Sequence, residues 1–100
     1  MVSPLHLPAH MTTRITQIDG AMALLRVEGS LRLEDAEVLE ETYAKLREQH
    51  SGTIAIDLAG TNFLDSDSAS VLCRLKNQGA ELIGLHFFIQ RVIEAAEAAE

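Results

Sequence analysis

Thr53-Ile54-Ala55-Ile56-Asp57-Leu58 is an almost unbroken apolar run, of the kind found in strands covered on both faces. Strands of that kind lie side by side in parallel and need helical crossovers between them, so the run argues for alternating strands and helices. Ala59-Gly60-Thr61-Asn62 reads as a turn after it. The chain then enters Phe63-Leu64-Asp65-Ser66-Asp67-Ser68-Ala69-Ser70-Val71-Leu72, where paired acids and hydroxyls precede an apolar helical pattern. Acids and hydroxyls in that position belong to a helix N-terminus. Unpaired backbone N–H groups and the positive end of the helix dipole meet there, and the place holds carboxylate or phosphate well.

The flanking segments complete the pattern. Thr12, Thr13, Ile15, Thr16 and Ile18 favour a strand, Asp19-Gly20 suits a tight hairpin, and a second strand is expected over about 21–28, broken by Gly29-Ser30. Leu33, Ala36, Leu39, Tyr43 and Leu46 recur at helical spacing, with Glu34, Asp35 and Glu37 in the first turn and Lys45 and Arg47 near the end. His50-Ser51-Gly52 closes that helix. A second helix is expected over about 67–77 with Val71, Leu72 and Leu75 inward and Asn77-Gln78-Gly79 as its stop, followed by a strand over about 81–85. The third helix should run from Phe88 to the end, with Ile89, Val92, Ile93 and Ala96 inward. The expected fold class is therefore α/β in the order β-β-α-β-α-β-α: a hairpin entry and two right-handed crossovers, giving a mixed sheet with helices packed on it. The strand order stays open. Residues 1–11, with both prolines and His6 and His10, are expected to be a loose leader and 12–100 a single domain; Met1 and Met11 are both possible natural starts.

Charge and composition narrow the function. A net charge of -7 argues against binding nucleic acid or an anionic membrane by bulk electrostatics, which points to a protein or small-molecule partner. No apolar run approaches the ~18 residues of a membrane span, so no direct insertion is expected and the reading is cytoplasmic. Cys73 stands alone on an apolar helix face, as a core filler in a reducing compartment. No metal, cofactor or catalytic site is expected. A triad of Cys73, His86 and Asp65 would need a thiol of lowered pKa, and nothing around mid-helix Cys73 supplies one. The four histidines lack ligand spacing, and no Gly-rich phosphate loop is present.

The run Val27-Glu28-Gly29-Ser30-Leu31 with Ala36 and Leu39, then Ile56-Asp57-Leu58, then Phe63-Leu64-Asp65-Ser66, resembles the STAS family, the fold of bacterial anti-sigma factor antagonists. Leu82-Ile83-Gly84 and Phe88-Ile89 to Val92-Ile93 extend the similarity, which spans about 15–96. The resemblance implies a partner-switching module. In the sigma-regulating members the unphosphorylated protein captures a kinase-type anti-sigma factor, and phosphorylation of a serine at the helix N-terminus blocks that capture. A second class implied by the resemblance is a small cytoplasmic subunit beside an anion carrier or a lipid-transporting ATP-driven system, with a transporter ATPase as partner.

The departures from the family pattern fall on the site. The phosphorylated serine is usually the second one of D-S-S-G, which here is Asp67, and the glycine is Ser68. Asp67 carries about one negative charge where a phosphoserine carries roughly 1.5 to 2. Three readings follow: Asp67 mimics the phosphorylated state, the acceptor has moved to Ser66 or Ser68, or the switch is lost and the surface binds permanently. The last two are preferred, with Asp65, Ser66, Asp67 and Ser68 as the phosphorylation and partner-binding residues. The plain alternative is an N-cap, a contribution of about 1 kcal/mol.

Three further residues and a helix carry expectations. Arg32, where the family often has Asp, is expected to be a solvated arginine with a weakened cap behind it. Phe88 is expected to enter the core and Phe87 to cover the helix base; the alternative is an apolar edge for a partner or ligand. Pairing of two copies through the first strand or the last helix is open.

Overall fold

The computed structural model describes residues 14–18 and 23–99. Their elements are β1 (Arg14–Ile18), β2 (Ala23–Leu31), α1 (Leu33–Gln49), β3 (Ile54–Leu64), α2 (Ser66–Asn77), β4 (Glu81–Ile83) and α3 (Phe87–Ala99). The strands form one four-stranded sheet in the order β1-β2-β3-β4, with β1 antiparallel to β2 and the other pairs parallel. The expected mixed α/β sheet is present. The hairpin residues Asp19 and Gly20 and the leader lie outside the described residues.

Both parallel crossovers step the same way along the sheet, so a common hand puts their helices on one face. Burial agrees with this placement: Ala23, Leu25 and Val27 of β2 and Ile54, Ile56 and Leu58 of β3 are buried, while Arg26 and Glu28 on either side of Val27 are exposed. On the helical side, α1 contributes Ala36, Leu39, Tyr43 and Leu46, and α3 contributes Ile89, Ile93 and Ala96. Helix α2 lies between them and buries Ala69, Val71, Leu72, Cys73 and Leu75. Its wide apolar face follows from having a neighbour on each flank and the sheet beneath. Cys73 is the core filler expected, its Sγ lying 3.8 Å from the carbonyl of Ile93.

Two expected breaks turn out to be strand. Strand β2 continues through Gly29 and Ser30, and β3 continues through Ala59, Gly60, Thr61 and Asn62. Turn-type residues occupy these positions because the register slips twice, between the pairs Arg26↔Asp57 and Glu28↔Gly60 and again between Gly29↔Thr61 and Ser30↔Phe63. Each slip leaves residues of β3 unpaired, as in a β-bulge. Side chains satisfy the freed groups. Asp57 Oδ1 accepts the N–H of Ala59 at 2.9 Å, and the buried Thr61 hydroxyl donates to the carbonyl of Val27 at 3.0 Å. Gly29 supplies the positive φ of 95° that this irregular stretch requires.

The last strand is shorter than expected, ending at Ile83. Gly84 turns the chain with φ of 71°, so close to β3 that a Cβ there would stand 2.5 Å from Asp57 Oδ1 and 2.7 Å from the nitrogen of Ala59. His86 then bonds the carbonyl of Thr61 through Nε2 at 2.8 Å, which requires that nitrogen to carry the proton. Gly84 packed against Asp57 and His86 bonded to Thr61 thus hold the middle of β3 to the segment leading into α3.

Candidate functional site

Each helix follows a strand of the parallel set, so α1, α2 and α3 all begin at the same end of the sheet. At the middle of that end stands Asp65, extended in backbone (φ -86°, ψ 170°), with Oδ1 accepting the N–H of Ser68 at 2.8 Å. Its carbonyl accepts the N–H of Ala69 at 3.0 Å. Asp65 is therefore the N-cap, and α2 starts at Ser66, one residue earlier than expected. The cap satisfies one of the helix's orphan donors, and the N–H groups of Ser66 and Asp67 have no intrahelical acceptor.

The sequence-predicted residues divide by exposure. Ser66 and Asp67 face solvent and Asp65 is half-buried. Ser68 is 0% exposed, and its Oγ has no hydrogen-bond partner. Ser66 Oγ therefore stands at a reachable helix N-terminus and Ser68 Oγ does not. The reason is helical geometry: Ser68 lies three residues past the cap, on the face turned toward the core, where the resembling sequences carry glycine. A phosphoryl group on Ser66 would meet the two free N–H groups and the positive dipole end, which favour it, and the Asp67 carboxylate next door, which opposes it.

Of two expectations for neighbours at this end, one holds and one fails. Arg32 is exposed, as expected of a solvated arginine; its guanidinium lies 4.8 Å from the centroid of the Phe63 ring, and its backbone N–H donates to Asp35 Oδ2 at 3.2 Å. Asp35 thus supports the start of α1, which Arg32 itself leaves without a side-chain cap. Phe87 and Phe88 are 74% and 48% exposed. The expectation that Phe88 enters the core fails because α3 begins at Phe87, so the inward stripe starts at Ile89 and both rings fall off it. The sequence masked this, because Val92, counted in the expected stripe, lies one turn beyond position 88 and on the same face.

The opposite end holds a cleft of about 330 Å³, lined by Tyr43, Arg47, His50, Thr53 and Gln78 among others. Arg47 Nη1 donates to the carbonyl of Gln78 across it at 2.6 Å, joining the C-terminal ends of α1 and α2. Among the described residues no three acidic, histidine or cysteine side chains are grouped as metal ligands, and no helix is long and apolar enough to cross a membrane.

Comparison with known proteins agrees with this architecture. No curated protein matches the chain by sequence. Among solved structures, the antisigma-factor antagonist STAS domain from Rhodobacter sphaeroides is similar with a TM-score of 0.56 and 22% identity, covering 73% of this chain and 87% of that one. The anti-sigma factor antagonist SpoIIAA in its unphosphorylated form gives a TM-score of 0.64 at 15% identity, covering 85% of this chain and 80% of that one. At such identities the likeness is one of fold. The sequence model for the family described as "Mlab, STAS domain" matches residues 15–98, so the chain belongs to the STAS domain family.

Proposed function

We propose that this chain is a non-catalytic regulatory module of the anti-sigma factor antagonist type, which captures a kinase-type anti-sigma factor in the cytoplasm through the Asp65–Ser68 corner. Phosphorylation of Ser66 would control the capture. The observation that carries the reading is the exposed start of α2 directly beyond β3, with Ser66 and Asp67 at the surface. Burial of Ser68 supports Ser66, the exposed serine, as the acceptor in this reading. A phosphoryl group there adds bulk and roughly 1.5 to 2 negative charges beside Asp65 and Asp67, and its volume, its repulsion by those carboxylates and the cost of desolvating it oppose closure of a fitted interface.

The reading is tested by phosphopeptide mapping of protein from its source cells, with binding of the purified anti-sigma factor to wild type, Ser66→Ala and Ser66→Glu. Modified Ser66, together with capture that survives Ser66→Ala and falls with Ser66→Glu, is the expected result. Unmodified Ser66 and capture indifferent to both substitutions would remove the switch.

Asp67 favours a second reading. It stands where the resembling sequences carry the phosphorylated serine, so its charge is permanent, as suits a fixed subunit docked on a transporter ATPase. Co-purification with that ATPase in constant stoichiometry, independent of Ser66, would select it.

A further inference from the structure

We infer that Phe87 and Phe88 are the apolar anchors of the docking surface and that their partner presents an apolar pocket rimmed by lysine or arginine. The inference rests on the proposed docking role of the α2 corner and names the chemistry of what docks there.

Phe87 is 74% exposed and Phe88 48% exposed, side by side in the first turn of α3. Large exposed aromatics are the side chains that most often carry binding energy in an interface, because a rigid ring buries much area at small entropic cost. The Arg91 guanidinium lies 5.5 Å from the Phe87 centroid, one helical turn on. The His86 bond to Thr61 at 2.8 Å holds the start of α3 against β3, the same strand that leads into Asp65. The rings and the acid corner therefore stand at the same end of the sheet, tied to the same strand.

Charge selects the occupant. Glu34 and Asp67 at the starts of α1 and α2 are exposed and have no ion-pair or hydrogen-bonding side-chain partner among the described residues. The basic side chains at this end, Arg32 and Arg91, lie over the Phe63 and Phe87 rings and keep their charge, so the basic rim of the partner faces Glu34 and Asp67. A second copy of the chain docked on this end would bring a second set of the same acidic side chains into the contact, and the net charge of -7 on each copy opposes association. A nucleic acid or anionic membrane meets the same repulsion. A basic-rimmed apolar pocket fits both halves of the surface.

The test uses the full chain and, as probe, the purified kinase-type anti-sigma factor from the source organism. Phe87→Ala is expected to weaken binding at least tenfold, and Glu34→Gln with Asp67→Asn severalfold, with a shallower salt dependence. Val38→Ala, an exposed apolar residue on the flank of α1, should change nothing. Thermal melts keep folding defects apart from binding defects. If the probe binds wild type and Phe87→Ala equally, the anchor inference is overturned while the anti-sigma reading stands. If the probe does not bind wild type, that reading fails, and a photo-cross-linking residue at position 87 in source cells decides the anchors. Adducts on an apolar segment flanked by lysine or arginine uphold the inference. Adducts only to the chain itself, adducts elsewhere, or none overturn it.

Discussion

Asp65 and Ser68 sit three residues apart at one helix start, yet their side chains have opposite effects. Asp65 Oδ1 accepts the Ser68 N–H at 2.8 Å, so Asp65→Ala should cost about 1 kcal/mol in urea denaturation, while Asp65→Asn, which keeps an acceptor oxygen, should lose much less. The Ser68 hydroxyl is buried without a partner, and burying such a group without a bond costs ~1–3 kcal/mol. Ser68→Ala is therefore expected to raise the unfolding midpoint, and a drop in stability would mean that the hydroxyl does find an acceptor. At this scale the sequence was a good guide to the cap and a poor one to exposure. Asp-Ser-Asp-Ser announces a helix start by side-chain chemistry alone, but which of the two serines faces water depends on helix rotation relative to the sheet.

The elements were legible wherever a hydrophobic period ran uninterrupted, as in α1 with Ala36, Leu39, Tyr43 and Leu46. They were illegible where β3 outruns its local pattern. Ala59-Gly60-Thr61-Asn62 has turn composition, and only the pairing with β2, formed by residues some thirty positions earlier, keeps it extended. The cost of those irregularities is met by the Asp57 and Thr61 side chains and by the close approach of Gly84. Gly84→Ala should accordingly be among the most damaging small substitutions, because it joins an unfavourable φ of 71° to a 2.5 Å overlap with Asp57. A loss above about 2 kcal/mol in chemical denaturation is expected, beyond the ~1 kcal/mol that positive φ alone accounts for. Asp57→Ala combined with Gly84→Ala should not restore the loss, since the backbone nitrogen of Ala59 still stands 2.7 Å from the added Cβ and is left without its carboxylate acceptor.

Across the whole molecule, the helical layer is tied together at its surface as well as in its core. Arg74 forms two bonds to Glu40 at 3.0 and 3.1 Å, and Lys76 reaches Glu97 at 2.9 Å, so α2 is pinned to both neighbours. The hydrogen bond and charge of Glu97 raise the Lys76 ammonium above its ordinary 10.5. A folded value above the unfolded one means that the pair's contribution is complete below the unfolded value and fades as pH rises through the folded one. Both partners are well exposed, so solvent screening keeps the contribution within ~1 kcal/mol. Denaturation midpoints of wild type and Lys76→Met should therefore differ slightly at neutral pH and converge in strong alkali, where the ammonium is lost.

Strand β3 pairs with β4 only over Ala55, Ile56 and Asp57, whereas its pairing with β2 continues to Leu64. Its first half is enclosed by ladders on two sides and its second half by one, so amide deuterium uptake should be slow before Leu58 and faster from Gly60 onward. That gradient makes the second half of β3 a built-in reporter: a macromolecule seated on the adjoining corner would slow uptake there and leave the first half as it was.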